Sequence, residues 1–186
     1  MLIPVQRLLD GLRHPKTRAD DLERVRRLLV RQASEATPEE TAIALTLRGL
    51  REAMAEAIGD VSSCGRCARG HPLPNGRFDG GHCCGARTEQ LFTQPELRAL
   101  RLAGTRPADM TPPAPCDHAG CAFRGERGCS LDVAHRPSLC VRYVCRELES
   151  ELRERGDLPA IRAIGAKMVA AERRLGQLGE ETRSDR

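Results

Sequence analysis

The sequence predicts a mainly α-helical fold, a small helical domain with an irregular, cysteine-rich, metal-binding middle region. Three observations carry that expectation. Apolar residues recur at three- and four-residue spacing near both ends of the chain, which is the helical period. Aromatic residues make up only 2% of the 186 positions, so Leu, Ala and Val must fill the helix interfaces. All nine cysteines lie between Cys64 and Cys145, in a stretch rich in Gly and Pro where periodicity nearly vanishes.

Residues 1–60 form the first segment and read as helical. Thr37-Pro38-Glu39-Glu40 is a helix start: Thr caps, Pro suits the first helical position, and Glu reaches back to the cap. Ile43, Leu47, Leu50, Met54 and Ile58 then fall on one face, and Gly59 suits the end. Upstream, the stretch from Thr17 to Ala33 carries Leu22, Val25 and Leu29 on one face. The short connection between them predicts an antiparallel pair. Core packing explains both stripes better than a partner surface does, although the helical flanks also offer a surface to a protein partner.

Residues 61–146 form the second segment, with all nine cysteines and four of the five histidines. One helical interval interrupts it. From Thr93 to Ala103, Leu97 and Leu100 share a face, Thr93 and Glu96 offer another capping box, and Gly104 suits the end. The Pro-rich stretch from Thr105 to Pro115 is expected to be loop. Residues 147–178 return to helix, with Ile161, Ile164, Met168, Ala171, Leu175 and Leu178 as a stripe that packs on the N-terminal helices. The tail, 179–186, is polar and expected to be disordered.

Charged residues are 30% of the chain, yet the net charge is only +4. Arg, Glu and Asp alternate, as in Glu147–Arg155, which describes a solvated helix face. A nucleic-acid binder would concentrate its basic residues on one side and supply aromatics for stacking, so no nucleic acid is expected. The first residues, Met1-Leu2-Ile3-Pro4-Val5-Gln6-Arg7, lack the apolar run of a secretory signal. No stretch approaches the roughly 20 apolar residues that span a bilayer, so no membrane is expected either. The expected compartment is the cytoplasm, where thiols stay reduced. There the cysteines read as ligands or redox groups rather than disulfides.

The cysteines have a definite grammar. Cys64-Gly65-Arg66-Cys67 is a C-x2-C knuckle that can grip one metal from a tight turn. A redox pair would need a strand before it and a helix after it, but Gly70, Pro72, Pro74 and Gly76 follow. Cys83-Cys84 sits between Gly81-His82 and Gly85. Neighbouring side chains diverge, so placing both thiols on one ion is strained though not forbidden; otherwise they serve different metals, or one is a ligand and the other supports it, with a vicinal disulfide as a third reading that a reducing cell disfavours. Cys121, Cys129, Cys140 and Cys145 complete the group, and Cys116 stands just upstream. On one regular helix Cys140 and Cys145 would point about 140° apart. Sharing a site therefore requires an irregular chain there, or a helix that begins close to Cys145.

Buried single cysteines are often small hydrophobes. Nine of them within 82 positions, amid Gly and Pro, are better explained by metal coordination that orders a region with little else to bury. Tyr143 and Phe123 are the residues expected to keep such a site dry. His82 and His118 adjoin cysteines and are alternative ligands; His71 and His135 read as loop residues and His14 as surface.

The order of these elements resembles the CxxCxxCC cysteine-cluster family, the YkgJ-like zinc- or iron-chelating proteins. The resemblance rests on Cys64/Cys67, Gly81-His82-Cys83-Cys84, the helix with Glu96, Cys121-Ala122-Phe123 and Cys129-Ser130-Leu131. It continues through Arg136-Pro137, Cys140-Val141-Arg142-Tyr143 and Cys145, and covers about residues 64–145. Fifteen residues separate Cys67 from Cys83, where the family has only a few, and Cys116 has no place in the pattern. The resemblance implies chelation by up to eight thiolates: Cys64, Cys67, Cys83, Cys84, Cys121, Cys129, Cys140 and Cys145. The cofactor is then zinc or an iron–sulfur cluster. Uneven spacing, the Cys-Cys pair and the absence of paired C-x2-C knuckles tilt the choice towards iron. The implied functions are electron transfer or iron handling. Flagellin lysine N-methylases carry a similar cluster, which brings in an S-adenosylmethionine-dependent methylase as an alternative; no donor-binding motif accompanies it here. A zinc-organised adaptor for a protein or RNA partner is the remaining alternative.

Overall fold

The computed structural model describes residues 18–32, 36–61, 88–111, 121–125 and 128–184. In chain order these form α1 (Arg18–Arg31), α2 (Pro38–Ile58), α3 (Thr88–Leu91) and α4 (Gln94–Leu102). A 3-10 turn at Pro107–Asp109 leads to the two-residue strands β1 (Arg124–Gly125) and β2 (Gly128–Cys129). A second 3-10 turn at Val133–His135 precedes α5 (Ser138–Arg142), α6 (Arg146–Arg155) and α7 (Leu158–Ser184). The protein is mainly helical, as expected. None of the described helices is long and apolar enough to cross a membrane.

Helix α2 begins where the sequence requires. Thr37 is its cap: the Glu40 N–H donates to Thr37 Oγ1 at 3.1 Å, and the Thr37 N–H donates to Glu40 Oε2 at 2.9 Å. Two otherwise orphaned donors are thereby satisfied. Glu40 is also buried and takes a two-pronged contact from Arg98, at 2.8 Å to each oxygen. These bonds hold its carboxyl below the ordinary carboxylate range. One side chain thus starts α2 and ties it to α4.

The same economy fails at α4. Thr93 is its cap by backbone position but makes no side-chain cap bond. Glu96, expected to reach back to it, is occupied by α2 and α5 instead. At the far end Gly104, with φ of +93°, lets the Thr105 N–H reach the Leu100 carbonyl at 2.9 Å. The Pro-rich stretch that follows is less irregular than expected, because Pro107–Asp109 winds into a 3-10 turn that brings Met110 into the core.

Two apolar clusters divide the interior. The first joins Leu22, Val25 and Leu29 of α1 to Leu97 and Leu100 of α4, with Phe92, Met110 and Phe123. The second joins Leu47 and Met54 of α2 to Leu152 of α6 and to Ile161, Met168 and Leu175 of α7. Burying each such leucine fully contributes about 1.5–3 kcal/mol. The C-terminal stripe packs along α2, as anticipated. The N-terminal pairing differs from expectation: α1 packs mainly on α4 and the first 3-10 turn, while α2 takes α7. Short linkers favour neighbours, but here the apolar faces match elsewhere.

Helix α7 also runs on to Ser184, where a disordered tail from residue 179 was expected. A glycine inside a helix costs only about 1 kcal/mol, too little to end one anchored by Leu175 and Leu178. Gly49, exposed in the middle of α2 with nothing near an added Cβ, makes this testable. Gly49→Ala is expected to raise stability by about 0.5–1 kcal/mol. Gly156, the left-handed cap between α6 and α7 with φ of +81°, is expected to respond in the opposite sense. Gly156→Ala should cost about 1 kcal/mol. Urea denaturation midpoints of the two variants check both signs.

Candidate metal centre

Cys129 ends the second strand of the short hairpin, and Cys121 lies three residues before its first strand. The hairpin register sets Arg124 opposite Cys129 and Gly125 opposite Gly128. Two residues per strand cannot hold a hairpin alone, and the added contacts are specific. The Ser130 N–H donates to the Phe123 carbonyl at 2.9 Å, and Ser130 Oγ donates to the Thr111 carbonyl at 2.8 Å. Next to Cys121, the Ala122 N–H donates to the buried Thr88 Oγ1 at 2.9 Å, which ties the hairpin to the start of α3. Phe123 is fully buried against Phe92, with ring centroids 5.1 Å apart.

Cys140 lies in the middle of the five-residue α5, and Cys145 caps α6. The chain between Cys140 and Cys145 is not one regular helix. Helix α5 ends at Arg142, the chain is extended at Tyr143, and a new helix begins at Arg146. The Leu148 N–H points at Cys145 Sγ, 3.5 Å away, and the thiol approaches Glu147 Oε2 at 3.7 Å.

Three of these cysteines belong to, or pack against, one apolar cluster. Cys121 is buried in the first apolar cluster, with Cys129 and Cys140 half-buried against it. Cys145 lies half-buried against the second cluster. Helix α5 is the junction, since Cys140 faces the first cluster and Val141 the second. A closed thiolate centre needs turns to bring its sulfurs together and little water around them, and these cysteines are buried or half-buried on short elements. The donor chemistry therefore fits zinc or an iron–sulfur cluster. Among the described residues no group of three or more Cys, His, Asp or Glu side chains lies together where it could hold a metal ion. Cys64, Cys67, Cys83, Cys84 and Cys116 lie outside the described residues, as do His14, His71, His82 and His118.

Of the two residues expected to exclude water, Phe123 fits and Tyr143 does not: Tyr143 is 41% exposed, because the break between α5 and α6 turns it outward. His135 closes the second 3-10 turn and shares a 3.0 Å hydrogen bond with Thr105 Oγ1, so it is a structural partner rather than a plain loop residue.

The sequence reading missed a buried ionic network beside the cysteines. Arg51 of α2 has no exposed surface, and its Nη2 donates to Glu96 Oε1 at 2.7 Å. Arg51 Nη2 and Nε also donate to Ser138 Oγ at 3.0 and 3.3 Å. Burial pushes the Glu96 carboxyl up from its ordinary value, against the opposing pull of Arg51 and the Ser138 N–H, with nearby Glu172 adding to the rise. A signal was present: Arg51 lies four residues after Leu47 and three before Met54, on the apolar stripe itself. Its partners, 45 and 87 positions away, carry no local mark.

No family model matches this chain significantly, nor does any curated protein or solved structure.

Proposed function

We propose that this chain binds a metal centre, a zinc ion or an iron–sulfur cluster, through thiolates drawn from Cys64, Cys67, Cys83, Cys84, Cys121, Cys129, Cys140 and Cys145. The observation that supports it most is that Cys121, Cys129 and Cys140 all belong to or pack against one apolar cluster, on or beside a hairpin and a helix too short to be stable alone. Metal coordination would add a cross-link to the hydrogen bonds that already hold these elements.

Chain length permits the remaining ligands to join. Thr88 stands four positions after Cys84, and four extended residues reach at most about 14 Å. Thr88 in turn accepts the Ala122 N–H beside Cys121. The order of cysteines resembles that of the YkgJ-like proteins and supports the same ligand set.

A bound cluster would supply one-electron transfer, and a zinc ion a structural cross-link. The uneven cysteine spacing favours iron and a role in electron transfer or iron handling. The chain's own part would be to hold the thiolates, with Phe123 and Phe92 excluding water on one side. Anaerobic purification followed by an absorption spectrum and metal analysis of one sample tests the reading. Iron with sulfide and absorption near roughly 400 nm supports a cluster. Colourless protein with zinc supports a structural site. Protein without metal overturns the proposal.

A further inference from the structure

Helix α5 has five residues, far fewer than the roughly 12 that make even a favourable isolated helix marginal. It nevertheless carries Cys140 at a definite place between the two clusters. What holds it is polar and comes from other helices. At its start the Ser138 N–H donates to Glu96 Oε1 at 2.9 Å, and Ser138 Oγ lies 3.2 Å from the same oxygen. Glu96 thus satisfies, from α4, a helix-start donor that no residue of α5 itself serves. Arg51, from α2, neutralises the carboxylate and bonds the same hydroxyl. At the other end of α5, Arg142 pairs with Glu172 of α7 at 3.5 Å.

Ser138 is fully buried, and only Leu139 separates it from Cys140. A displacement of this turn moves the Cys140 sulfur with it, whereas the long helices α2, α4 and α7 have their own apolar anchors. We infer that Glu96, supported by Arg51 and acting through Ser138, is a positioning residue for Cys140 as a metal ligand. The inference rests on the metal reading above. A buried ionic network is an expensive way to join helices, because desolvation offsets much of its attraction. It does fix one register for a short element, which ligand geometry requires.

The test uses the full-length protein as purified with its metal, and three variants: Glu96→Gln, Ser138→Ala and Glu40→Gln. Glu40 is the control, a buried carboxylate paired with Arg98 of the same α4 but, among the described residues, bonded to no cysteine-bearing segment. Metal release to excess EDTA is followed under native conditions, with urea stability measured in parallel. Glu96→Gln and Ser138→Ala should release metal about tenfold faster or more, and Glu40→Gln at the wild-type rate despite its lower stability. Equal rates in Glu96→Gln and Glu40→Gln would overturn the positioning role while leaving the metal reading intact. If Glu96→Gln fails to fold, Ser138→Ala alone decides: wild-type release from it overturns the inference. A wild-type protein without metal overturns both.

Discussion

Replacing Cys129 by alanine is expected to strip the bound metal and loosen the hairpin that follows Cys121. A structural metal held by four thiolates can contribute about 10–16 kcal/mol in apparent binding free energy, so losing one ligand is felt by the whole region it organises. As a packing residue alone, half-buried Cys129 would cost only about 1 kcal/mol on truncation. The two readings therefore predict very different sizes. Cys83→Ala should behave like Cys129→Ala, and Cys116→Ala should retain its metal, since Cys116 falls outside the ligand pattern. Metal content and amide exchange of residues 121–130, measured across the three variants, separate the cases. Equal metal in all three would remove the ligand assignment.

The second large effect is expected at Arg51. Removing one member of a buried ion pair strands the other, and Arg51→Met should cost about 3–5 kcal/mol at pH 7. The loss has a pH signature. Because burial raises the Glu96 carboxyl in the folded state, its contribution is fully present below the unfolded value of 4.5 and is lost as pH rises through the folded value. Without Arg51 the folded value rises further, so the variant's deficit should shrink between pH 7 and pH 5. Arg51→Met with Glu96→Leu should recover part of the loss, because apolar side chains replace the stranded charge, although Ser138 loses an acceptor. Urea denaturation at the two pH values checks both expectations. A deficit that grows on acidification would contradict this account of Glu96.

Local chemistry made much of this fold legible. The Thr37–Glu40 capping box and the stripes of α2 and α7 follow from short-range rules, and the structure contains them. Partner choice was less legible. Nothing within α1 announces that its apolar face matches α4 better than α2, because that match depends on the shapes of surfaces distant in sequence. Charged residues were the most misleading. Arg51, Glu96, Glu40 and Arg98 resemble the solvated charges around them, yet Arg51 and Glu40 are buried and bind partners 45 and 58 residues away. At the candidate site, the chain between Cys140 and Cys145 is broken at Tyr143 rather than one regular helix. The role of Ser138 was invisible, since a serine after proline at a helix start usually serves its own helix rather than a carboxylate 42 positions away.

The central claim, that thiolates of this chain hold a metal, is tested most directly by X-ray absorption at the edge of whichever metal the anaerobically purified protein carries. The account predicts a first shell dominated by sulfur at about 2.3 Å. A shell of oxygen and nitrogen alone, or a protein with no metal to measure, would contradict it.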